Sequence, residues 1–157
     1  VEDTLYLDLA SGRVVIEMRP DLAPEHCAHI KELARRGFYD GIVFHRVIDG
    51  FMAQTGDPTG TGTGGSGRRL KAEFSPEKHV RGTCSMARAS DPNSADSQFF
   101  IMFAPATSLD GQYTVWGKVV SGMEHVDAIK KGESRRNGTV ENPDKIIKLQ
   151  VATDAKE

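Results

Sequence analysis

Apolar and β-branched residues gather in eight short runs, at 5–9, 14–18, 42–47, 52–54, 83–86, 98–103, 114–120 and 146–151, cut apart by glycine, proline, aspartate and asparagine. Runs this short match strands, whose usual length is about 5–6 residues, and are too brief for ordinary helices. Ser11-Gly12 marks a turn between the first two runs, which predicts an opening hairpin. Helical spacing occurs in two places. Pro24, Cys27, Ile30, Leu33 and Ala34 lie on one face, with proline in the first turn and Gly37 past the end. Ser121 and Glu124 form a capping box ahead of Met123, Val126 and Ile129, with Gly132 as the stop. Many short strands and two helices predict a mainly β fold, a closed sheet with helical lids, since closure removes edges that would otherwise aggregate.

With 157 residues and no composition break or repeat, the chain is expected to form one domain over 1–157. A formal charge of -2 gives no general attraction to nucleic acid. No window approaches the roughly 18 apolar residues of a membrane span, and the first ten residues lack the pattern of a signal peptide. A cytoplasmic location is therefore expected, or a periplasmic one if a signal segment preceded Val1. Cys27 and Cys84 are expected to be reduced, buried and small, and nothing in the chain asks for an obligate dimer, so a monomer is expected.

Several residue clusters invite chemical readings. Residues 60–67, GTGTGGSG, contain G-x-G-x-x-G twice, but no helical pattern follows to receive a phosphate, so a turn-rich loop is expected. His26 and His29 stand three apart on the first helix without further ligands at helical spacing, so solvated helix residues are expected rather than a metal site, and His125 is read the same way. Cys84 sits in an apolar run and reads as core, not as a nucleophile. Asn137-Gly138-Thr139 has the form of a glycosylation sequon and reads as a tight turn. The run FHRVIDGFMAQTGDP at 44–58 is different, because it sets one arginine in an apolar stretch followed by Phe51, Met52 and Gln54. Two readings stand from spacing alone. Arg46 pairs with Asp49 or Asp57 at the surface while Phe51 and Met52 fill the core, or Arg46 is a fixed cation beside an apolar pocket, working by hydrogen bonding and charge because its pKa lies above about 12.

That run resembles the central motif of the cyclophilin-type peptidyl-prolyl cis-trans isomerases. RGTCSMARA at 81–89, SADSQFFIMFA at 94–104, LDGQYTVWGKVVSGM at 109–123 and IIKLQV at 146–151 follow the same family in order, so the likeness spans nearly the whole chain. The resemblance implies an eight-stranded antiparallel β-barrel with two helices closing its ends, an active groove on its outer face, and no cofactor or metal. Carried over by position, it implies catalytic roles for Arg46, Phe51 and Gln54. It implies substrate contacts for Met52, Ala87, Arg88, Ala89, Gln98, Phe100, Leu109 and Tyr113. Xaa-Pro peptides and folding proteins are the implied partners. The implied activity speeds rotation of Xaa-Pro bonds by electrostatic stabilisation of the twisted imide. A proline-peptide binding module or holdase chaperone with incidental turnover is the alternative, since it uses the same groove.

This sequence departs from the family pattern at three positions. Arg88 stands where asparagine is usual, and is expected to alter preference more than chemistry because contacts there run through the backbone. Ser108 replaces the tryptophan of cyclosporin-sensitive members and Tyr113 replaces a pocket histidine, so weak cyclosporin binding is expected.

Overall fold

The computed structural model describes residues 3–60, 64–88, 91–132, 138–140 and 142–154. The opening hairpin pairs β1 (Thr4–Leu9) with β2 (Gly12–Met18), Leu9 facing Gly12 across the turn. There follow α1 (Pro24–Arg35), β3 (Arg46–Ile48), β4 (Met52–Thr55), β5 (Thr83–Met86), β6 (Phe99–Met102), β7 (Val115–Ser121), α2 (Met123–Asp127) and β8 (Lys148–Val151). All ladders are antiparallel, and the strands lie in the order β3-β4-β6-β5-β7-β2-β1-β8.

The eight strands and two helices match expectation, but the closed ring does not. The outer strands β3 and β8 share no ladder, so the sheet is an open half-barrel. Both are short, and the chain ahead of each does the pairing instead: Gly41 N–H donates to Ile146 O at 2.7 Å, Phe44 N–H to Asp144 O at 2.8 Å, and Val43 bridges Lys145. The expected strand over 42–47 is thus divided, with 42–44 spanning the gap and Arg46–Ile48 joining the sheet.

Alternation places Leu5, Leu7, Val14, Ile16, Phe99, Ile101, Leu149 and Val151 in one core with Trp116 and Tyr39. Burying each large apolar side chain contributes roughly 1.5–3 kcal/mol. Helix α1 lays Cys27, Ile30, Leu33 and Ala34 on that core. It ends where Gly37, at φ +70°, lets its own N–H reach Ala34 O and the Phe38 N–H reach Leu33 O, which satisfies two terminal carbonyls. Its start is capped from afar. Ala23 offers no side-chain acceptor, and the Glu73 carboxylate takes the N–H of His26 at 2.9 Å and of Glu25 at 3.4 Å.

The second helix corrects the expected capping box. Ser121 closes β7 and Gly122, in the left-handed region, is the cap; a Cβ there would stand 2.3 Å from Arg13 O, so α2 can approach β2 only through a glycine. Gly132 is not the helix stop either, because its N–H bonds Val47 O at 2.7 Å.

Candidate active site

Strand register assembles the site. Arg46 on β3 faces Gln54 on β4, and Gln54 faces Phe100 on β6. Directly opposed residues share a face of the sheet, so these three form a row. Their neighbours Val47, Ala53, Phe99 and Ile101 point into the main core, which puts the row on the outer face. One step along, Ile48 faces Met52 and Met52 faces Met102, adding an apolar row beside the polar one.

This outer face is covered. Met52, Phe100 and Met102 are buried in a second apolar cluster, against which Phe51, Ala87, Leu109 and Tyr113 pack. The segment carrying the short turn Thr107–Leu109 lies over it, held by the Ala106 N–H to His79 O bond at 3.0 Å. Between them is a cavity of about 130 Å³ lined by Arg46, Phe51, Met52, Gln54, Ala87, Arg88, Phe100, Leu109 and Tyr113. A cavity of about 150 Å³ holds a benzene ring, so a five-membered ring suits this one.

The polar side of the cavity is a directed relay. Arg46 Nη1 donates to Gln54 Oε1 at 3.1 Å, Gln54 Nε2 to Gln98 Oε1 at 2.9 Å, and Gln98 Nε2 to Gly64 O at 3.0 Å. Burial lowers the Arg46 pKa from its ordinary value, opposed by Tyr113, so partial desolvation raises the worth of each hydrogen bond it makes. Asp57, weighed above as a surface partner of Arg46, is not a surface residue: it is 1% exposed and accepts from the Thr59 N–H at 2.8 Å.

Every expected site residue that is described therefore lies at this cavity or, for Gln98, one hydrogen bond behind it. Ala89 lies outside the described residues. Arg88 does more than expected of it: Nε and Nη2 donate to Gln112 O at 3.0 and 2.8 Å, and its guanidinium lies 4.8 Å from the Tyr113 ring centroid. It thus braces the segment that covers the pocket, a role its backbone alone does not supply.

His79 was not legible as a site residue. It is 1% exposed, with Nδ1 3.1 Å from Asp110 Oδ1 and Nε2 3.0 Å from Ser85 Oγ, and its ring stacks on Phe100 at 6.1 Å. Burial lowers its pKa, with Asp110 opposing, while the His79 backbone N–H holds the Asp110 carboxyl below its ordinary range. His79 and Asp110 are 31 positions apart, so no local pattern signals their contact.

The other clusters find different roles. His26 Nδ1 meets Glu73 at 2.6 Å while His29 Nε2 lies beside Ser66 and Asp96, so the two rings face separate partners, and both are buried rather than solvated. Cys84 is buried, which pushes its thiol pKa well up, and burial raises Cys27 to about 12. No helix follows the glycine loop within 64–88. Asn137 of the sequon lies outside the described residues.

Residues 4–151 match the family model described as cyclophilin type peptidyl-prolyl cis-trans isomerase/CLD. The chain is 57% identical to the "Probable peptidyl-prolyl cis-trans isomerase" of Brucella suis biovar 1, over 99% of this chain and 85% of that protein. It is 43% identical to peptidyl-prolyl cis-trans isomerase B of Bacillus subtilis, over 88% of this chain and 98% of that one. Among solved structures, the Cryptosporidium parvum cyclophilin in the presence of the dipeptide Ala-Pro superposes with a TM-score of 0.87 at 32% identity, covering 94% of this chain and 98% of that one.

Proposed function

This chain belongs to the cyclophilin-type peptidyl-prolyl cis-trans isomerases, and on that premise we propose that Arg46 drives the reaction by hydrogen-bonding the prolyl nitrogen of the twisted imide. Rotation about an Xaa-Pro bond meets a barrier near ~20 kcal/mol because twisting breaks amide conjugation. At the midpoint the nitrogen lone pair is localised and accepts a hydrogen bond that neither planar isomer accepts, so a donor held there stabilises the transition state selectively. Lowering the barrier by about 4 kcal/mol gives a thousandfold acceleration, within the range of one or two charge-assisted bonds in a shielded groove.

The single observation that carries this reading is the placement of Arg46, tethered by Gln54, at the edge of a ring-sized cavity walled on one side by Phe51, Met52, Phe100 and Leu109. Phe51, Met52, Phe100 and Leu109 hold the pyrrolidine ring while the preceding carbonyl swings, so ring burial becomes orientation. Tyr113 closes the far side with its ring against Phe100, centroids 5.6 Å apart and nearly perpendicular. Binding of Xaa-Pro peptides here is supported by the Ala-Pro dipeptide present with the related C. parvum protein.

The test is a pair of substitutions. Arg46→Ala should lower kcat/KM on an Xaa-Pro peptide by about 10²–10³-fold with peptide affinity reduced much less. Arg46→Lys should be impaired too, since a point charge lacks the planar fork of the guanidinium. Equal losses of turnover and affinity would support the holdase reading instead.

A further inference from the structure

The glycine-rich segment, read from sequence as a plain loop, is tied directly to the polar side of the site. Gly64 supplies the carbonyl that ends the Arg46–Gln54–Gln98 relay. On its other side the same segment is clamped by Asp96. That carboxylate accepts the backbone N–H of Ser66 and of Gly67, each at 2.9 Å, together with a short hydrogen bond from the Ser66 hydroxyl. His29, 3% exposed on α1, brings Nε2 to 3.3 Å from Ser66 Oγ.

Two glycines make this path possible. A Cβ on Gly65 would stand 2.6 Å from Asp96 Oδ2, and one on Gly64 would stand 2.2 Å from Asp57 Oδ1. The backbone passes between two carboxylates with no room for side chains. Serine, histidine and aspartate also meet here, but not as a nucleophilic triad. In such a triad the hydroxyl and the carboxylate take opposite ring nitrogens, whereas here both approach Nε2 of His29, and its Nδ1 is buried without a hydrogen-bond partner among the described residues. The cluster is a clamp on the loop.

We propose that Asp96 is a positioning residue for the isomerisation: by clamping the backbone at Ser66 and Gly67 it fixes the Gly64 carbonyl, which sets the amide orientation of Gln98 and Gln54 and so the aim of Arg46. The inference rests on the role assigned to Arg46 above. A side-chain amide can present either its oxygen or its N–H groups to a neighbour. With Gly64 O fixed as acceptor, Gln98 turns its oxygen to Gln54, and Gln54 must turn its oxygen to Arg46. Once that acceptor moves, the hydrogen bond that favours this orientation of the two amides is lost. An inverted Gln54 points N–H groups at a guanidinium that has no acceptor, and the tether is lost. Aligned hydrogen bonds also polarise one another, so loss at one end weakens the other.

The experiment compares Asp96→Ala, Gln98→Leu and the double variant in the full chain, reading kcat, peptide affinity, melting temperature and the side-chain amide ¹⁵N–¹H resonances of Gln54 and Gln98. Asp96→Ala should lower kcat roughly five-fold, the size of one lost hydrogen bond, with peptide affinity changed less than about two-fold. Gln98→Leu should do the same, and the double variant should lose no more than either single one. The Gln54 and Gln98 resonances should shift in Asp96→Ala. Full activity in Asp96→Ala, unmoved resonances, or losses that multiply in the double variant would each overturn the proposal. Should Asp96→Ala fail to fold, Ser66→Ala and Asp96→Asn carry the same readouts with less disruption. An Arg46→Ala variant that keeps its activity would instead refute the role of Arg46, while the amide resonances would still report whether the clamp orients the relay.

Discussion

Mild acid should destabilise this fold well above the pH range where carboxylates titrate, through histidines that folding keeps neutral. His29, His45 and His79 are 3%, 8% and 1% exposed, and burial lowers the pKa of each, opposed by Asp96, Asp57 and Asp110 respectively. His45 is the clearest case, because neither ring nitrogen has a hydrogen-bond partner among the described residues and Arg46 further disfavours its protonation. The unfolded chain binds a proton on each histidine near pH ~6.5, while the folded chain resists until lower pH. Stability is therefore full above about pH 6.5 and declines as pH falls below it, until the folded histidines themselves titrate. Each one that stays neutral costs up to about 1.4 kcal/mol between pH ~7.5 and ~5.5. Three together cost at most about 4 kcal/mol, a large part of a typical total of about 5–15 kcal/mol. The sole tryptophan, Trp116, is fully buried and reports unfolding by fluorescence. Urea titrations at pH ~7.5, ~6.5 and ~5.5 should show a falling midpoint, and His45→Phe should remove up to about a third of the fall. Asp21 and Asp127 are held down by Arg19 and Arg81, and Asp110 by the His79 N–H, so their losses fall in a separate window below pH ~4. A midpoint that does not move between pH ~7.5 and ~5.5 refutes the reasoning.

Removing the remote cap of α1 by Glu73→Ala should cost about 1–2 kcal/mol and lower Tm by roughly 4 °C, and an unchanged calorimetric Tm would show that His26 and Glu25 find other partners. Gly56→Ala should destabilise by more than about 2 kcal/mol, because φ is +98° and the new Cβ would stand 2.3 Å from Ser97 O; a urea midpoint equal to the parent's contradicts that. Ser108 is exposed on the turn beside Leu109. Cyclosporin should accordingly inhibit weakly and Ser108→Trp should strengthen it, an expectation that a nanomolar inhibition constant for the parent chain would end.

Local pattern located every strand to within a few residues because the alternation that marks a strand is also what buries one of its faces. It failed where distant partners decide. Residues 42–44 look like the start of β3, yet their backbone groups are taken by the 144–146 segment. Ser121 and Glu124 have the form of a capping box, yet the closeness of Arg13 O demands glycine at the cap. The pocket residues were legible because their order along the chain carries the family motif. His79 and the Glu73 cap were not, since each acts through a partner 31 or more positions away.

Sequence by itself determined, to within a few residues, where strands and helices form and which residue types gather at the cavity. Tertiary structure alone decided that Arg46, Gln54 and Phe100 stand in one row, that the sheet stays open between β3 and β8, and that the Arg46 tether runs back to the glycine loop. The reason is register. A slip of one residue in β4 would turn Gln54 inward and Ala53 outward with the composition of the strand unchanged. Which slip is forbidden is settled by the packing of both faces at once, after distant segments have met.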